Sequence, residues 1–208
     1  MQQNFVEPST LPELPQPSAF EYWVYEQPLA LALALIVAGI LTIVLMRYRK
    51  NFKRVALPIG ALLIAIGSGI YTLGTLTVTE REHLQTRSEA LVQSVASAQP
   101  TELRAMLDPD VRLASVFASA QGADRIVQIA TTRTQGVVQS ADVGKVHAGL
   151  YGDRVATTQI RVRTEGSFVP SLSWWRVDWE RANTQSPWLV THIEPIWVQG
   201  ISNPAGSN

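Results

Sequence analysis

Two stretches without a charged side chain constrain what this chain can fold into more than any other feature. Leu29 to Met46 reads LALALALIVAGILTIVLM, and Val55 to Val78 reads VALPIGALLIAIGSGIYTLGTLTV. A helix needs about 20 apolar residues to cross a ~30 Å hydrocarbon core, and both stretches fall within that range. Buried in a soluble core, two such helices would leave too little of the 208 residues to enclose them. Two transmembrane helices, 28–46 and 55–78, are therefore expected, with a lipid bilayer as the first partner.

The eight residues between them, RYRKNFKR, hold Arg47, Arg49, Lys50, Lys53 and Arg54, and no Lys or Arg precedes them. In a short loop beside two spans, such an excess marks the cytoplasmic side. The tail 1–27 carries Glu7, Glu13, Glu21 and Glu26 without a cation, so nothing retains it inside. Both termini are expected outside a cytoplasmic (inner) membrane of bacterial type. The cations follow the first apolar run instead of preceding it, which argues against a cleaved signal peptide. Five charges against a bilayer suit anionic headgroups, and no nucleic-acid partner is expected. The tail, with Pro8, Pro12, Pro15 and Pro17, and residues 201–208 are expected to be disordered.

Inside the spans, small residues recur every four positions, at Ala30, Ala34 and Ala38 and at Ala61, Ala65 and Gly69. Such stripes let helix backbones approach closely, against each other, a second copy or a partner. The glycines of GSGIYTLG, Gly67 to Gly74, read as packing positions: the last interval is too long for a dinucleotide fingerprint. Neither span holds an ionisable residue, which argues against an ion or proton path through this chain alone.

From Thr79 to about Gly200 the polarity becomes ordinary and the period changes. Thr79 with Glu82 forms a capping box, and Leu84, Ser88, Leu91, Val95 and Ala98 follow at helical spacing. Pro100 interrupts that helix, Thr101 can cap a short second one, and Asp108 to Asp110, DPD, predicts a turn before the short strand VRLASV. Asp124 can cap a third helix bearing Ile126, Ile129 and Ala130. Four strands follow, DVGKVHAGLY, RVATTQIRVRT, SWWRVDWERA and PWLVTHIEPIW, with Gly152-Asp153 as a hairpin turn between the first two. Short connections predict an antiparallel meander.

This order, helix, helix, short strand, helix and then long strands, together with LRAMLDPDVRLAS, resembles the nuclear transport factor 2-like, or SnoaL-like, superfamily. The resemblance covers roughly residues 79–200. It implies an α+β fold in which a curved antiparallel sheet wraps about three helices into a cone whose mouth can hold a ligand, be filled by side chains or serve oligomerisation. A tethered domain of this kind also resembles an assembly subunit of type IV secretion systems; that family is anchored by one span, and the second span here departs from it.

Enzymes of the superfamily place a carboxylate or His in the cone, and ketosteroid isomerases add a Tyr. The candidates here are Asp108, Asp110, His147, Asp178 and His192, with Tyr151 as donor, and none repeats a catalytic spacing. Asp108 and Asp110 flank Pro109 as turn formers. The residues put forward for a ligand pocket are Trp175, Trp179, Tyr151, His147, His192 and Asp178. Alternation sends Trp174 to the face opposite Trp175, and an outward Trp marks either a docking surface or an aromatic-rich core with one Trp near the membrane interface. With three His and no Cys, disulfides and thiolate metal sites are excluded, and neither metal nor cofactor is expected. The expectation is a membrane-anchored, extracytoplasmic module that recognises a protein partner, another copy or an apolar ligand. The alternative is a tethered SnoaL-like enzyme of isomerase, cyclase or dehydratase type.

Overall fold

The computed structural model describes residues 7–8, 10–19, 22–47, 53–76, 79–115, 119–167 and 169–201. They form two compact units: Gln16–Glu80, and the N-terminal residues up to Pro15 together with those from Arg81 onward.

The first unit holds a π-helical turn at Tyr22–Glu26 and two helices, α1 (Pro28–Arg47) and α2 (Lys53–Leu76). Each contains a stretch long and apolar enough to cross a membrane. Arg47 ends α1 and Lys53 and Arg54 begin α2, while Arg49 and Lys50 lie outside the described residues. The helices meet through glycine. A Cβ on Gly60 would lie 2.7 Å from the carbonyl oxygen of Gly39, and one on Gly67 would lie 2.9 Å from that of Ala32. Backbones this close leave no room for a side chain at Gly60 or Gly67. Gly60, Gly67 and Gly74 thus form a seam with seven-residue spacing, facing Gly39, Ala32 and Pro28. The four-residue stripes point elsewhere: Ala30, Ala34, Ala38, Ala61, Ala65 and Gly69 are all exposed. So are Leu29, Leu33, Leu45, Leu62 and Leu73, and the hairpin is apolar on its outside.

In the second unit, α3 (Glu80–Ala96) begins directly after Thr79 and buries Leu84, Ser88, Leu91 and Ser94. It stops short of Ala98, which adopts a left-handed φ of 50° as the chain turns. Helix α4 (Pro100–Met106) takes Gln99 as N-cap and Pro100 in its first turn, where the missing N–H has no partner to lose. Helix α5 (Ala123–Thr134) is capped by Gly122, and Asp124 sits inside its first turn, 2.7 Å from Arg104 Nε.

The strands are β1 (Leu107–Ala114), β2 (Ser119–Gln121), β3 (Val138–Leu150), β4 (Val155–Gly166), β5 (Leu172–Glu180) and β6 (Leu189–Val198), in spatial order β2-β1-β6-β5-β4-β3. Strands β3 to β6 form the expected meander, but β1 runs parallel to β6, so the sheet is mixed rather than wholly antiparallel. The DPD segment lies within β1, where the register slips between Leu107 and Arg112 and the Asp110 N–H donates to Asp108 Oδ1 at 2.9 Å. Irregular register at Gly144 of β3 and at Thr191 and Ile196 of β6 bends the sheet and reverses which residues face inward.

The inner face packs Ala156, Ile160, Val162, Val177 and Trp179 against Leu84, Leu91, Leu103 and Ile126. A buried polar chain ties the layers together: Trp179 Nε1 donates to Thr158 Oγ1 at 2.8 Å, and Ser88 Oγ donates to the same oxygen at 3.1 Å. The opposite face is covered in part by residues 7–8 and 10–15. That segment was expected to be disordered; here it holds hydrogen bonds to β4 and β5.

Candidate functional site

Between the inner face of the sheet and the helices lies a cavity of about 550 Å³. Register explains its lining. Ile160 pairs with Trp175 and Val162 with Ser173, so alternation presents these side chains together on the inner face of β4 and β5. Helix α3 adds Leu91, Val92, Val95 and Ala96, and α5 adds Ile126, Ile129, Ala130, Arg133 and Thr134. Leu113, Ile193 and Val198 come from β1 and β6, and Val169 and Pro170 from the segment leading into β5. The lining is hydrocarbon with a few hydroxyls and one guanidinium, that of Arg133, among the described residues. Trp175 turns its indole N–H to Ser173 Oγ at 2.9 Å, which satisfies the donor and leaves the ring for apolar contact.

Of the residues put forward for a pocket, Trp175 lines this cavity. Trp179 shares its strand face but is fully buried, with its N–H on Thr158, and belongs to the packed end of the core. Asp178 lies on the outer face, where Oδ1 accepts from Thr157 Oγ1 at 2.7 Å and Arg176 Nε at 3.0 Å. His192 pairs with Asp178 in register and places Nε2 3.5 Å from Glu194 Oε2. Asp178, Arg176, His192 and Glu194 thus gather in an outer-face charge network. His147 is also outward, its ring centroid 5.9 Å from that of Trp174. Tyr151 stands exposed at the β3–β4 turn. Asp108 and Asp110 stay on the β1 irregularity and are absent from the cavity lining. Among the described residues no cluster of His, Asp and Glu is arranged to hold a metal ion.

The inward set from α5 and the β1, β6 and pre-β5 residues was not singled out from sequence. The signal for α5 was present, since Ile126, Ile129 and Ala130 lie at helical spacing with Arg133 one step further. Nothing local marks Val169 or Pro170.

The sequence matches no protein-family model and no curated protein. Solved structures similar to the chain include an NTF2-like protein from Cytophaga hutchinsonii, with 10% identity over 57% of this chain and 98% of that one and a TM-score of 0.47. A second NTF2-like protein, from Rhodospirillum rubrum, has 14% identity over 55% and 98% of the two chains and a TM-score of 0.45. A third, a protein with a cystatin-like fold from Caulobacter vibrioides, has 14% identity over 54% and 84% and a TM-score of 0.48. No functional residue is carried over from them.

Proposed function

We propose that the chain is a membrane-anchored binding module of nuclear transport factor 2-like type. A two-helix hairpin holds its α+β domain at the outer face of a cytoplasmic membrane, and the domain's cavity takes an apolar molecule. The observation that carries the ligand class is the lining itself: about 550 Å³ enclosed almost entirely by aliphatic and aromatic side chains. Cavities of ~300–1,000 Å³ with few polar groups suit small apolar or amphipathic ligands. Proton-transfer chemistry needs an acid or base within hydrogen-bond reach of the substrate. The ionisable side chain among the described lining residues is Arg133, whose guanidinium presents N–H donors and no acceptor. Binding is therefore the reading this lining favours.

Two observations support the anchor. Leucines exposed around the hairpin need an apolar medium, since water would be in contact with an entire helix surface. In addition, the N-terminal residues up to Pro15 and those from Arg81 onward form one compact unit. Two spans between them fit that arrangement, since an even number of crossings returns the chain to the same side.

Quenching of tryptophan fluorescence by 1-bromodecane tests the reading in full-length protein in lipid nanodiscs. Bilayer-dissolved quencher contributes a non-saturating background, and the cavity adds a saturable component. Trp175→Phe should remove the saturable part; its persistence in that variant would place the binding elsewhere.

A further inference from the structure

We propose that the outer face of β3–β5 is a binding site for an extended, proline-rich, carboxylate-bearing segment, and that its resident occupant is the chain's own residues 7–8 and 10–15. The face is built for an occupant. Thr157 and Gln159 of β4 and Trp174 of β5 point away from the helices, yet each keeps 5% or less of its surface exposed. Polar side chains on the outward face of a sheet ordinarily meet water.

The contacts divide by chemistry, with the sheet and Arg81 of α3 supplying donors and the segment supplying acceptors. Arg161 donates from Nε to Glu7 Oε1 at 2.7 Å and from Nη2 to Glu7 Oε2 at 3.0 Å, a two-pronged grip on the carboxylate. Trp174 Nε1 donates to the same Oε1 at 2.6 Å. Gln159 Nε2 donates to the Pro12 carbonyl at 2.7 Å, and Arg81 Nη2 to the Pro15 carbonyl at 3.1 Å. Pro12 and Pro15, whose carbonyls take these bonds, favour an extended backbone and have no N–H of their own. Arg161 and Trp174 together hold the Glu7 carboxyl below the usual carboxylate range, as a carboxylate receiving three donors should be.

Shape adds selectivity. A Cβ on Gly149 would lie 2.7 Å from Pro15 Cδ and 3.0 Å from Leu14 Cβ, so the segment fills the space a side chain would occupy. Charge agrees: residues 1–27 contain four Glu and no cation, while the site presents Arg81, Arg161 and, within electrostatic reach of Glu7, Lys145. An outside segment of the same chemistry can bind here only by displacing the resident one.

The chain has no native Cys, so an introduced pair reports directly. In full-length protein in nanodiscs, Leu14→Cys with Gly149→Cys should oxidise to an intramolecular disulfide, the segment moving off by about 1 Å to the Cβ separation a disulfide takes. The control is Leu14→Cys with Glu165→Cys, eight residues along β4 from the register partner of Gly149 and about 25 Å away, and it should not. Equal yields from the two pairs would overturn the site, and a disulfide-linked dimer would assign the occupant to a second copy, overturning the resident assignment. A peptide of residues 7–19 should slow formation of the disulfide, and the same peptide with Glu7→Gln should need about tenfold more to match it. Equal potency of the two peptides would overturn the carboxylate requirement.

Discussion

Trp175 and Trp179 share one face of β5, yet one lines the cavity and the other is sealed with its indole N–H on Thr158. Their common face was legible from alternation alone; which Trp meets open space depends on how far the helices stand off, and no local pattern encodes that. Asp178, put forward for the pocket beside Trp175, lies an odd number of positions along the same strand and is outward. His147 and His192 escaped for a different reason. One extra residue, Gly144 in β3 and Thr191 in β6, reverses the inward parity before each His is reached. Thr158 anchors the sealed end, and Thr158→Val strands the Trp179 N–H and the Ser88 hydroxyl. The change should cost about 1–3 kcal/mol, read as a lowered thermal midpoint, with Thr158→Ser recovering most of it. Glu7 supplies a pH test. Its carboxyl is held below the ordinary 4.5 by Arg161, then Trp174, with Lys145 adding and desolvation opposing. Because the folded value is the lower one, the contact is fully present above 4.5 and is lost only as pH falls through the depressed value. Spin labels at Glu13→Cys and Glu165→Cys should give one narrow distance from neutral pH down to 4.5, and a broad distribution only once pH has fallen through the depressed value. Adding Glu7→Gln should broaden the distribution at every pH.

Among the elements, the hairpin carries two small-residue periods, and the sequence alone could not rank them. Four-residue stripes end up exposed, while the seven-residue seam of Gly60, Gly67 and Gly74 makes the contact. Antiparallel helices that wind gently about each other return to the same face every seven residues, and a partner helix is needed to select that face. Gly60→Val should separate the helices at a cost of about 2 kcal/mol or more, because its Cβ would run into Ile43 Cγ1 and lie 2.7 Å from the Gly39 carbonyl oxygen. Ala61→Val, on the exposed stripe, should be neutral within experimental scatter, as read by thermal aggregation in detergent. Strands β3–β6 were readable because each neighbour is also next in sequence. The parallel β1–β6 pair joins Leu107 to Val190 and is invisible to any local pattern.

On the scale of the whole molecule, the division at Thr79 into an apolar hairpin and an α+β domain was legible from composition and a change of period. The attachment of residues 7–8 and 10–15 to that domain was not. Its proline content reads as disorder, and the donors that hold it lie more than 60 residues away in sequence. The cavity is the place proposed for an outside small molecule. Native mass spectrometry of the full-length protein with a neutral alkane-chain probe tests this most directly, comparing wild type with Ala130→Phe, which puts a ring into the lining. The account predicts one probe per wild-type chain and at least about tenfold weaker binding to the variant; equal, saturable binding to both would contradict it.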